Sequence, residues 1–252
     1  MTPSSPADRW DTLWLGIRDS PIAGLYLSEL HGIAGAVVKN TETAFDRVRT
    51  SEGDAGYIQV DHKLSAMLVD AVTNAARIRA LLDTGPRRRS ENAMTFEVRI
   101  RRAAWLQEEV LEGVRLDAVL GADVRNTLEH FDEYIDDLAR RAAEREITMP
   151  ILVPVDFLVS HRRAFDPLLQ HSGGVLQPLR GYYADERIFV NAGREVDVGA
   201  LHAECGTIRD RVAEHLSPGV LEEPRGSVMY VLTETSFKVR EPDQLLSDDD
   251  RD

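Results

Sequence analysis

The chain has 252 residues, 43% of them hydrophobic and 29% charged, which is ample for a buried core and excludes a disordered chain. Its net charge of −13 excludes a protein that holds nucleic acid through its overall field, so any such contact must be local. No stretch reaches the roughly 18 apolar residues of a membrane helix, the start MTPSSPADRW shows no secretory signal, and the single cysteine, Cys205, can make no internal disulfide; together these point to the cytoplasm and to no membrane partner.

Residues 1–9 read as a disordered tail, after which helical periodicity dominates the first half. A first helix is expected over about Asp8–Val48, broken at Ser20-Pro21. Gly53 and Gly56 mark a loop. A second helix covers about His62–Leu82 and stops at Asp83-Thr84-Gly85-Pro86. A third is expected from about Glu91 to Ala118. After the turn Gly121-Ala122-Asp123, Asp123 caps a fourth helix that reaches about Glu144.

The pattern then changes. Ile151–Val159 is a short apolar run read as a strand, which Pro154 pushes towards a sheet edge. Arg187–Val198 reads as a hairpin around Asn191-Ala192-Gly193. Gly199–Leu216 reads as a helix stopped by Ser217-Pro218-Gly219, and Ser227–Phe237 as a last strand. The expected fold class is α+β, mainly α: a bundle of about four long helices over 10–146, a small α+β region over 147–240, and an acidic disordered tail over 241–252.

Charge is uneven along the chain. Pro86–Trp105 carries six arginines, Arg87, Arg88, Arg89, Arg99, Arg101 and Arg102, against two acids. They are candidate RNA-binding residues, with a plain solvated helix face as the competing reading.

The segment richest in chemistry is Asp123–Asp137, DVRNTLEHFDEYIDD. On a helix, Leu128, Phe131, Ile135 and Leu138 share one apolar stripe, while Asn126 and His130, four apart, lie together well away from it. Arg125 falls in the first turn, where free backbone N–H groups and the helix dipole favour an anion. A guanidinium, an amide and an imidazole there can cradle a phosphate, with the imidazole moving protons near neutral pH.

Arg125-Asn126-Thr127-Leu128-Glu129-His130, opening a late helix of a helical bundle, resembles the signature of the HEPN superfamily over roughly residues 10–145. The resemblance implies a metal-independent endoribonuclease without cofactor, of the kind found as toxins, anti-phage effectors or RNA-processing factors. It implies Arg125 and His130 as catalytic residues, Asn126 as a supporting polar group, RNA as substrate, and a homodimer in which two motifs meet. An antitoxin or other regulatory protein is a further expected partner. Some members of the superfamily have lost activity and serve as binding modules, which keeps a non-catalytic interaction module as the alternative.

Other candidates are weaker. Arg209 to His215 repeats the loose spacing but ends a short helix beyond the bundle. A carboxylate–histidine metal site at His130 and Glu133 would need Glu29 and His62 to complete it. His161, Arg162, Arg163 and His171 read as loop residues, His31 as a surface or satisfied core residue, Trp10, Trp14 and Trp105 as packing anchors, and Cys205 as a small buried apolar residue.

Overall fold

The structure, a computed structural model, describes residues 14–16, 18–19, 21–49, 61–121, 124, 131–144, 153–162, 176–191 and 194–216. Helix α1 spans Pro21–Arg49. Proline opens it because the first helical position needs no N–H, and this is the break expected at Ser20-Pro21. Leu27, Leu30, Ala34, Val37, Thr41, Phe45 and Val48 recur at helical spacing and are buried. Among the described residues, α1 is also the one helix long and apolar enough, by length and composition, to cross a membrane, which the run-length criterion did not flag. One face of it lies in the protein core, with Leu30, Ala34 and Val37 fully buried, whereas Ile22 and Leu25 near its start are exposed.

Helix α2, His62–Leu81, starts on Asp61, whose carboxylate accepts from the Lys63 and Leu64 N–H groups at 3.0 and 3.1 Å. Arg47 near the end of α1 pairs with the same carboxylate, tying the two helices at one end. Helix α3, Ala93–Trp105, starts on an Asn92 cap and continues as a π-helical turn, Leu106–Val110. The helix expected to reach Ala118 stops here. The π turn closes with Leu111 N–H on the Leu106 carbonyl at 2.8 Å, and Gly113 then takes φ +73°. A separate short helix α4, Asp117–Leu120, follows, and α5 spans Phe131–Glu144. The exposed residues of α5 include Asp132, Glu133, Asp136, Arg140 and Glu144, the polar side of the expected amphipathic helix.

Strands β1 (Val153–Ser160), β2 (Leu176–Tyr183), β3 (Ile188–Asn191) and β4 (Arg194–Asp197) form a mixed sheet in that order. β1 and β2 are parallel, and the other pairs antiparallel. Among the described residues β1 is an edge strand, as Pro154 demands. β2 is not visible in the sequence, because Pro178 and Gly181 disguise it. Pro178 is tolerated since β3 pairs with β2 only from Arg180 onwards, so no partner on that side needs its missing N–H. Phe157, Val159, Tyr182, Phe189 and Val196 join the main core, whereas Leu158 and Tyr183 form a second cluster with Ile188 and Val190.

Helix α6, Val198–Ala213, is capped by Asp197 and packs along α1 and against α2. One buried cluster therefore takes in Leu30 of α1, Leu68 of α2, Leu106, Val119 of α4, Phe157 of β1, Phe189 of β3 and Ile208 of α6. It runs across the boundary expected near residue 147. The described chain is mainly helical with a small four-stranded mixed sheet, the α+β class expected. The strand expected at Ser227–Phe237 and both terminal tails lie outside the described residues.

Candidate functional site

Arg125, Asn126 and His130 lie outside the described residues, while Val124 and α5 flank them. Val124 is helical and 2% exposed. Two long-range contacts hold the chain just upstream. The Glu204 carboxylate of α6 accepts from Ala118 N–H at 2.9 and 3.0 Å and from Val119 N–H at 3.0 Å. Arg79 of α2 donates to the Gly121 carbonyl at 2.9 Å. A carboxylate at these N–H groups satisfies donors that a helix start leaves without partners.

Val124 also lines a shallow cavity of about 150 Å³ with Asp117, Ala118, Gly121, Glu195, Val196 and Asp197. Its carboxylates are all engaged. Asp117 pairs with Arg115 at 2.6 Å, Glu195 with Arg162 at 2.8 Å, and Asp197 accepts from Ala200 N–H at 2.7 Å. Among the described residues no group of His, Cys, Asp and Glu is arranged to hold a metal. Glu29, a ligand the di-metal reading would need, pairs with Arg77 at 2.7 Å.

In the arginine-rich segment Arg99 is buried in a knot of acids and carbonyls, while Arg87, Arg88 and Arg89 are exposed. The Arg99 side chain, 7% exposed, donates to Glu91 at 2.9 and 3.0 Å and to Asp83 Oδ2 at 3.1 Å. It also donates to the Asp83, Gly85 and Pro86 carbonyls at 3.0, 3.2 and 3.1 Å. One guanidinium thus satisfies the loop that ends α2. Its hydrogen bond holds the Glu91 carboxyl below the usual range. Arg88 pairs with Asp83 at 3.0 Å, and Arg87 donates to the Glu91 carbonyl at 2.7 Å. Arg102 caps α2 through the Leu81 and Ala80 carbonyls, both at 3.0 Å, with its guanidinium over Tyr26. Arg101 pairs with Glu97 at 3.5 Å, and Arg89 is exposed. The structure brings Arg87, Arg88 and Arg99 together around Asp83 and Glu91, and commits Arg99 and Arg102 to the chain's own carbonyls.

Arg162 reads in the sequence as a plain loop residue, and sequence reasoning missed its ion pairs. It grips Glu186 and Glu195 and lies over the Tyr183 ring at 4.2 Å, which raises its own pKa through the Glu195 hydrogen bond first. Its acids lie 24 and 33 residues away, so no local pattern announces them. Cys205 is fully buried, its thiol pushed up to about 12 by burial and then by Glu204, which keeps it inert. Burial and then Arg209 lower the pKa of His31. Trp14 and Trp105 pack edge to face at 6.0 Å, as anchors. Arg209, from the second Arg–His spacing, pairs with its neighbour Asp210 at 2.7 Å. No family model, curated protein or solved structure matches the chain.

Proposed function

We propose that the chain is a metal-independent endoribonuclease of HEPN type, acting in the cytoplasm as a homodimer in a toxin or anti-phage role. The observation that carries this reading is the motif Arg125-Asn126-Thr127-Leu128-Glu129-His130, set directly before α5. Two features support it. Val124 and α5, on either side of the motif, are helical. The chain before it is tied to α2 and α6 through Arg79 and Glu204, which would hold the motif in register. In the same reading, α1, α2 and α3 join the motif helix in an N-terminal bundle.

The chemistry is transesterification. The RNA 2′-hydroxyl attacks the adjacent phosphorus while a base takes its proton. The bond to the 5′-oxygen breaks, and an acid protonates that oxygen. The products are a 2′,3′-cyclic phosphate and a 5′-hydroxyl. His130 supplies one proton-transfer role and the partner copy's motif the other, while Arg125 holds the charge that builds on phosphorus and Asn126 supports it.

The test is RNA cleavage by purified protein in EDTA. His130→Ala should reduce cleavage by about 10²–10⁴-fold. Arg125→Lys should also be damaging, because an ammonium cannot make the forked contact. His215→Ala should be harmless. Full activity in His130→Ala sinks the proposal. A second reading, a non-catalytic interaction module with a protein partner such as an antitoxin, draws on the Arg99 and Arg102 contacts and on the exposed acids Asp132, Glu133 and Asp136 beside the motif. It takes over if the parent protein cuts no RNA.

A further inference from the structure

Where α1, the β2–β3 turn and α6 meet, two polar side chains with unused capacity, Arg187 and His202, gather at the Phe45 ring, and the Tyr182 hydroxyl lies within electrostatic reach of Arg187. Arg187 ends the turn that joins Tyr183 to Ile188. Its φ is +56°, a left-handed conformation that glycine or asparagine enters most cheaply. An arginine stands there instead, and its guanidinium lies over Phe45, 4.4 Å from the ring centroid. Gly199 makes room for it, since a Cβ at that position would meet the Arg187 side chain at 3.3 Å. Among the described residues the Arg187 guanidinium, exposed to solvent, has no carboxylate and no carbonyl partner.

His202 of α6 touches the same ring, with centroids 5.5 Å apart. Its Nδ1 lies 2.8 Å from the Oγ1 of Thr41, a residue with no exposed surface. The Thr41 hydroxyl has one proton and donates it to the Val37 and Val38 carbonyls at 2.8 and 3.0 Å. It therefore accepts from His202, which keeps a proton on Nδ1 and leaves Nε2 without a partner among the described residues. Tyr182 of β2 is 1% exposed, and its hydroxyl makes no hydrogen bond among the described residues. Burial raises the pKa of that hydroxyl, and Arg187 is near enough to pull it part of the way back.

We propose that Arg187, Tyr182 and His202 form a binding site for a phosphate group. This site uses none of Arg125, Asn126 and His130 and does not rest on the ribonuclease reading. The guanidinium holds two phosphoryl oxygens in a forked contact, and the Tyr182 hydroxyl donates to one of them. Nε2 of His202 accepts from a phosphate O–H or, once protonated, donates to an oxygen, so it suits either protonation state of the ligand. Stacking on Phe45 keeps the guanidinium oriented before the ligand arrives, which lowers the cost of ordering it.

A terminal phosphate and an RNA phosphodiester present the same tetrahedral group, so the experiment uses two probes, inorganic phosphate and a dinucleoside monophosphate. Each is titrated into the full chain at constant ionic strength, following the His202 ring and Arg187 side-chain signals by NMR. A saturable shift of both signals with at least one probe is expected, and the probe that responds identifies the source. Arg187→Gln should weaken the response by at least about tenfold, the scale of a charge-assisted contact. Tyr182→Phe keeps the ring in the core, removes only the hydroxyl, and should weaken it several-fold. No saturable shift with either probe, or equal affinity in Arg187→Gln, overturns the proposal.

Discussion

Replacing Glu204 with alanine removes one carboxylate and strands two backbone donors. The carboxylate accepts from Ala118 N–H at 2.9 and 3.0 Å and from Val119 N–H at 3.0 Å. Glu204 is 8% exposed and Val119 fully buried, so water is a poor substitute for the lost acceptor. A buried donor left without a partner costs about 1–3 kcal/mol, so the two together predict a loss of about 2–6 kcal/mol. Glu204→Gln keeps one acceptor oxygen and should lose less. Urea unfolding followed by circular dichroism measures the change as a shifted midpoint at unchanged slope. Amide exchange supplies the local readout: Ala118 and Val119 should lose protection while the middle of α2 keeps it. If Glu204→Ala lies within about 0.5 kcal/mol of the parent, the ordinary range of a surface substitution, and both amides stay protected, the clamp contributes nothing and the reasoning fails.

Burial pushes the Asp61 carboxyl up, but Arg47 and the Leu64 and Lys63 amides outweigh it and hold the group below its ordinary value. A depressed carboxyl stabilises the fold above its unfolded pKa of about 3.9, and that stability is lost as the pH falls through the folded value. Asp61→Asn can still cap α2 but loses the ion pair, so it should cost about 1 kcal/mol at neutral pH. Unfolding measured across pH should show this gap close below about pH 4, and a gap that persists into stronger acid sinks the idea. Gly113 sits at φ +73° with nothing within 4 Å of an added Cβ, so Gly113→Ala meets only the backbone penalty. That penalty is about 1 kcal/mol, and an unchanged unfolding midpoint would refute it. Because burial holds the Cys205 thiol up at about 12, an aromatic disulfide reagent at mildly alkaline pH should label it only after denaturation. Rapid labelling of the native protein would contradict the buried placement.

Much of the local structure was legible in the sequence because its causes act over a few residues. Pro21 opens α1, the Asp83–Pro86 stop ends α2, and Pro154 sends β1 to an edge. The hairpin around Asn191-Ala192-Gly193 and the helix that follows were equally plain from turn residues and periodicity. The Arg125–His130 motif was also legible, since it is a matter of residue type and spacing.

Only the tertiary structure decided which elements and side chains meet. β2 carries Pro178 and Gly181 and is a strand because β1 and β3 supply its partners. The π turn at Leu106–Val110 and the start of α4 at Asp117, held by Glu204, are set by contacts that no local pattern encodes. The arginines of Pro86–Trp105 looked like one basic face, yet Arg99 is turned inward by acids and carbonyls of the preceding loop. Arg187 of the β2–β3 turn and His202 of α6 meet the ring of Phe45 on α1, and these three elements are distant in sequence. Periodicity and capping report the chain's own next few residues, whereas a partner brought in from a hundred residues away leaves its mark only after the core has closed.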